Sequence, residues 1–107
     1  MFKVMIVLSR KPGMSVGDFR RYWRETHGPK AAAMPGVRRY VQYSSVPGPT
    51  GAVPGHDGIA ELWYDDEDTW RQSREAPESA ASRDDLVHFC DLDRLAYLFV
   101  EEDVILG

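Results

Sequence analysis

The chain has 107 residues, with 13 basic and 17 acidic side chains giving a net charge of −4, and 43% hydrophobic residues. That length supports one core, so a single domain over residues 1–107 is expected, and the acidic balance without a basic tract argues against nucleic-acid and anionic-membrane partners. A single cysteine, Cys90, excludes an internal disulfide and a cysteine-rich zinc site and fits a reducing, cytoplasmic setting.

The opening run FKVMIVL, polar only at Lys3, is too short for a membrane span or a signal-peptide core and reads as a buried strand, Phe2–Leu8. Lys11-Pro12-Gly13 is a turn. Ser15 then caps a helix, with Asp18 three residues on and Met14 and Phe19 at the positions of a hydrophobic staple. On an ideal helix Val16, Phe19 and Trp23 share one stripe with Tyr22 at its edge, while Arg20, Arg21, Arg24 and Glu25 take the other side. His27 falls one turn beyond Trp23, on the flank of the buried stripe. Gly28 suits the left-handed end of a helix and Pro29 forbids its continuation, so the helix should stop there, with a short turn near 31–34 after a bend. An imidazole at a helix end, beside an indole and facing inward, suits proton transfer. The same placement also describes a core histidine held by one hydrogen bond.

Pro35-Gly36 leads into a second strand, 37–45, and a third follows at 59–64. Between them, 45–58 is long for a hairpin connection and dense in Pro and Gly, either a lid over a pocket mouth or a stiff exposed loop. The acidic run 65–68 suits a helix N-terminus, with Trp70 as the anchor of that helix. Pro77 and the small residues up to Ser82 should interrupt it, and Ser82 with Asp85 repeats the capping pattern before Leu86, Phe89 and Cys90. The last strand is 94–101.

This order, β-α-β-β-α-β, is the ferredoxin-like α+β arrangement, a four-stranded antiparallel sheet with helices on one face. The strands are apolar on both sides: Val4, Ile6 and Leu8 oppose Met5 and Val7, and Ile59 and Trp63 oppose Ala60, Leu62 and Tyr64. Helices can cover only one face. A second copy of the sheet is the economical cover for the other, so a homodimer is expected.

KPGMSVGDFRRYWRETHGP, followed by MPGVRRYVQY and GIAELWYDDEDTW, resembles the EthD domain family of the dimeric α/β-barrel superfamily over nearly the whole chain. The first half is also similar to the methylmuconolactone methylisomerases. The resemblance implies two sheets packed face to face as a barrel and, in each subunit, a pocket between sheet and helices. It further implies a role in ether, aromatic or polyketide metabolism. Relatives include cofactor-free monooxygenases, isomerases, cyclases and dehydratases, and an oxidoreductase label often accompanies the domain.

Arg38, Tyr40 and Gln42 share one face of the second strand. Tyr40 is either a core phenol or a group that orients or protonates a carbonyl, Gln42 is a candidate for a substrate oxygen, and Arg38 either binds substrate or pairs with a carboxylate. Glu61, on a central strand, must be paired, with Arg38 or Lys3, or carry a raised pKa. Trp23 and Trp63 are packing residues or ligand platforms. His56 joins Asp57 as an acid–base pair only if the loop lets adjacent side chains converge. His88 is placed in solvent and Cys90 in the core.

The reading is a small homodimeric enzyme acting on an aromatic or otherwise hydrophobic molecule by general acid–base chemistry. His27 takes or relays a proton, Tyr40 or Gln42 holds a substrate oxygen, and Trp23, Arg38, Glu61, Trp63 and His56 complete the binding set. Tyr40 or Glu61 would hold the second His27 nitrogen. Isomerisation, cyclisation or dehydration would fit. The alternatives are oxidation, through a substrate anion that meets oxygen or through a bound haem, and a non-catalytic binding or stress-linked protein. No cofactor and no metal are expected, because the chain has no Gly-rich βα turn, no cysteine cluster and no close histidine spacing.

Overall fold

The computed structural model describes all 107 residues. Four strands, β1 (Phe2–Leu8), β2 (Arg39–Ser44), β3 (Gly58–Tyr64) and β4 (Ala96–Val100), form one antiparallel sheet in the order β2-β3-β1-β4. The helices α1 (Val16–Tyr22), α2 (Gly28–Ala32), α3 (Glu67–Arg74) and α4 (Pro77–Asp85) connect the strands as two interleaved split β-α-β units. No helix is long and apolar enough to cross a membrane.

Alternation along the strands sorts the two faces. Val4, Leu8, Ala60, Leu62 and Tyr64 are buried on the helix side, where they meet Phe19, Trp23, Leu86, Phe89 and Cys90 in one core. The opposite side carries Met5, Val7, Tyr43, Ile59, Leu98 and Val100 around a shallow hollow, and no helix covers it. Ile59, Tyr43 and Leu98 are 41%, 49% and 47% exposed there. β4 lies at the sheet edge.

The first helix departs from the expected stop. Ser15 caps α1, its hydroxyl accepting from the Asp18 N–H at 3.1 Å, and Phe19 and Trp23 are buried, though Val16 stays 39% exposed. Gly28 is right-handed, with φ −50°, and the chain continues as helix to Ala32. A single widened turn, Trp23–His27, with π-type hydrogen bonding, lies between α1 and α2. Pro29 sits in the first turn of α2, where a missing N–H is tolerated, and the wide turn before it absorbs the ring.

The second helical region also differs. Asp66 caps α3, accepting from the Thr69 N–H at 2.7 Å. Pro77 opens a further helix, and Ser79, Ala80, Ala81 and Ser82 lie inside it. Ser79 and Ser82 are buried, so the small residues allow close packing on the rest of the fold. Ser82 and Asp85 therefore do not cap a later helix. Leu86 to His88 form one tight turn at the end of α4, with Leu86 and Cys90 buried and His88 exposed.

Candidate functional site

Between the helix side of the sheet and the helices lies a cavity of about 110 Å³, lined by 19 residues of which 14 are hydrophobic. That is room for on the order of ten small groups, enough for a one- or two-ring molecule. Val4, Leu8, Ala60, Leu62 and Trp23 make its buried floor. Arg74, Arg83, Tyr97 and Phe99 line it too but are exposed, and so mark its mouth near the β4 edge.

His27 lines this cavity and is only 5% exposed. The wide turn places it there. Its ring packs on Phe89, with centroids 4.8 Å apart, and its Nδ1 lies 2.9 Å from Asp85 Oδ2. Asp85, at the end of α4, is itself 3% exposed. Its other oxygen accepts from the Tyr22 hydroxyl at 2.6 Å and from Lys30 Nζ at 3.3 Å. The expected holders of the second His27 nitrogen, Tyr40 and Glu61, are thus replaced by an aspartate 58 residues away in sequence.

Electrostatics fixes the protonation of the pair. Burial pushes the Asp85 carboxyl up, but the Tyr22, His27 and Lys30 donors outweigh it and hold the pKa below the usual carboxylate value. Burial also lowers the His27 pKa, and the Asp85 carboxylate only partly opposes this. The imidazole is therefore neutral at neutral pH, with its proton on Nδ1 facing an ionised acceptor. Nε2, the ring nitrogen not engaged by Asp85, carries the lone pair. The Tyr22 hydroxyl, through burial first and then its bond to Asp85, is raised to about 12. The helix runs on past Gly28 to Ala32, so no helix C-terminus at Gly28 favours the imidazolium form.

Tyr40 lines the cavity as well. Gln42 uses its amide nitrogen twice, donating to the Trp23 carbonyl at 2.9 Å and to the Tyr40 hydroxyl oxygen at 2.8 Å. Tyr40 accepts that bond, and its own O–H donates to no group of the protein. Gln42 thus acts on Tyr40 and does not line the cavity. The approach is close: a Cβ on Gly28 would come within 3.3 Å of Gln42 Nε2 and the Trp23 carbonyl.

Of the remaining expected binding residues, only Trp23 lines this cavity. Arg38 is exposed and faces Asp65 at 3.4 Å. Glu61 lies on the opposite face of the sheet and accepts from Tyr43 Oη at 3.3 Å, while Lys3 pairs with Glu102. Trp63 also points away from the helices, with the Lys3 ammonium 4.4 Å from its ring centroid. His56 is exposed and shares a 3.0 Å contact between its Nδ1 and the Ser9 hydroxyl, while Asp57 binds Arg10, so those two do not form a pair. None of residues 45–58 lines the cavity. Burial raises the Cys90 thiol to about 12, which leaves it an unreactive core group. No three His, Cys, Asp or Glu side chains gather in a way that could hold a metal ion.

Asp85 is the residue that the pattern of the sequence concealed. Read as a helix from Pro77, the chain puts Ser79, Ser82, Asp85, Leu86 and Phe89 on one face at 3–4 residue spacing. A carboxylate on that buried face would have called for several donors.

The fold recurs in solved structures. An ethyl tert-butyl ether D (EthD) family protein from Bacillus halodurans C-125 is 26% identical, with a TM-score of 0.80 over 96% of this chain and all of that one. A dimeric ferredoxin-like protein of unknown function from Thermobifida fusca is 14% identical, with a TM-score of 0.71 over 92% of this chain and 88% of that one. A dimeric protein of unknown function and ferredoxin-like fold from Bacteroides fragilis is 13% identical, with a TM-score of 0.67 over 94% and 95%. No curated protein sequence matches significantly. The EthD domain pattern matches residues 11–93, from the turn before α1 to the turn before β4, and on that match the chain belongs to the EthD domain family.

Proposed function

We propose that this protein is an enzyme of small-molecule metabolism that moves a proton on a largely apolar substrate, with His27 as general base. The observation that carries this reading is the buried His27–Asp85 pair opening onto an apolar cavity. A buried carboxylate that orients a neutral imidazole costs stability unless well partnered, and it does here what a base needs: it fixes the tautomer and stabilises the imidazolium once formed. In the step envisaged, Nε2 takes a proton from a carbon beside a carbonyl, and the C–H electron pair moves into an enolate. The Tyr40 hydroxyl donates a hydrogen bond to the enolate oxygen. The imidazolium then returns its proton to a different carbon, an isomerisation, or to a departing hydroxyl, a dehydration. Membership of the EthD family fits such small-molecule chemistry.

The working form is proposed to be a homodimer in which two uncovered sheet faces meet. The support is the apolar face around Met5, Ile59 and Leu98 and the description of two structural neighbours as dimeric.

The test is proton exchange. Aromatic ketones with an acidic C–H are incubated in deuterated buffer, and label uptake is followed by NMR. His27→Ala should fold with an unchanged dispersed spectrum and exchange at least ~100-fold more slowly than the parent protein, the scale of a lost general base. Equal exchange by the two proteins would remove His27 from the reaction.

A further inference from the structure

Arg74, the last residue of α3, and Arg83, on α4, line the same cavity as His27. Both are exposed at its mouth, and neither takes part in any of the eight ion pairs of the chain. Arg71, one turn earlier on α3, pairs with Glu67 at 3.3 Å. Arg74 has no acidic partner; its guanidinium lies 5.2 Å from the Trp70 ring centroid, against 6.0 Å for Arg71, and Trp70 is itself a wall of the cavity. No aspartate or glutamate lines the cavity. Two cations without counter-ions thus border a largely apolar space, an arrangement that favours an anionic guest.

The charges around the cavity act on different groups. Those that act on His27 are Asp85 and Lys30. At Tyr97, on the β4 side, burial raises the hydroxyl pKa, and the Arg74 and Arg83 charges pull it the other way. Arg74 also pulls on Tyr64, whose pKa burial raises. His27 is 5% exposed against Phe89, whereas Arg74 and Arg83 are exposed, so the base lies inside the cavity and the cations at its mouth. A molecule that spans it would meet charge at one end and a proton acceptor at the other.

We propose that the substrate is a small aromatic or similarly apolar carboxylic acid, with its carboxylate held at the mouth by Arg74 and Arg83 and its apolar body extending inward toward His27. The proposal takes the cavity as the substrate site and deepens that reading. A guanidinium fork matches a carboxylate in shape as well as charge. The apolar walls of Leu62, Ala60 and Phe99 receive the ring. Anchoring one end leaves the carbons farther along the molecule nearest the base.

The experiment compares matched acids and amides. Benzoate and benzamide, and 2-naphthoate and 2-naphthamide, are titrated into the full-length protein and followed by ligand-observed NMR. Two partly screened guanidiniums should favour each acid over its amide by about tenfold in Kd. The preference should fall below about twofold in Arg74→Gln/Arg83→Gln and persist in Arg71→Gln, whose arginine lies outside the cavity. Equal affinity for acid and amide, no binding of either pair, or an acid preference that survives the double substitution would overturn the proposal. His27→Ala should keep the acid preference. A failure of the proton-transfer reading and a failure of the carboxylate reading thus give different results.

Discussion

Replacing Asp85 by Asn keeps the shape of the side chain and removes its charge, and the contacts around it specify the consequence. Lys30 Nζ, 3.3 Å from Oδ1, can only donate, and the Tyr22 hydroxyl at 2.6 Å donates to the same atom, so together they hold the Asn oxygen on their side. The amide nitrogen then stands where Oδ2 stood, 2.9 Å from His27 Nδ1, and donates to it. The imidazole proton must move to Nε2, and that nitrogen becomes a donor. Turnover should fall by roughly 10²–10⁴, the range for losing a general base or its tautomer. Stability should change much less. One charge-assisted bond is exchanged for a neutral one, the desolvation of the carboxylate is relieved, and the exposed Lys30 adds little, for a net loss of about 1–2 kcal/mol.

The assay needs no substrate. Long-range ¹H–¹⁵N correlation should show His27 as the Nδ1–H tautomer in the parent protein and the Nε2–H tautomer in Asp85→Asn. The parent His27 should titrate below 6.5, because burial outweighs the Asp85 charge, and removal of that charge should lower it further. The sign for stability follows. As pH falls, the unfolded chain binds the imidazole proton first, so this contribution is complete above pH 6.5 and declines from there toward the folded-state pKa. The acid limb of kcat/KM should lie in the same region. A His27 that titrates above 6.5, or the same tautomer in both proteins, would refute the reasoning.

Two further substitutions test the scaffold. Leu98→Asp places a charge on the uncovered sheet face at a position 47% exposed in the protomer, so each chain should stay folded while light scattering falls from twice to once the 12.1 kDa chain mass. A monomeric parent protein would rule out the face-to-face dimer. Gly58→Ala should cost about 1–3 kcal/mol in urea unfolding, a typical overpacking loss. Its Cβ would lie 2.6 Å from Trp23 Cζ3 and 2.7 Å from the Tyr43 carbonyl, and an unchanged midpoint would contradict that packing.

What the sequence determined by itself was whatever depends on neighbours a few residues apart. The bounds of β1, the Ser15 cap, the burial of Phe19 and Trp23, and the two apolar faces of the sheet all follow from local periodicity and local hydrogen bonds. The order of elements then restricted the topology, and the family motifs pointed to the same fold. Pro29 and the small residues after Pro77 misled the reading, because both prolines stand where a helix begins and both helices form on the strength of their packing, although α3 does end before Pro77 as expected. Tertiary structure alone decided the site. Arg38, Glu61, Trp63 and His56 lie outside the cavity because strand direction and loop path, which periodicity does not encode, carry them to other surfaces. Asp85 meets His27 because α4 packs beside α2, across 58 residues of chain. A hydrogen-bond partner that far away is chosen by how two helices pack on a sheet, and no spacing within either helix records it.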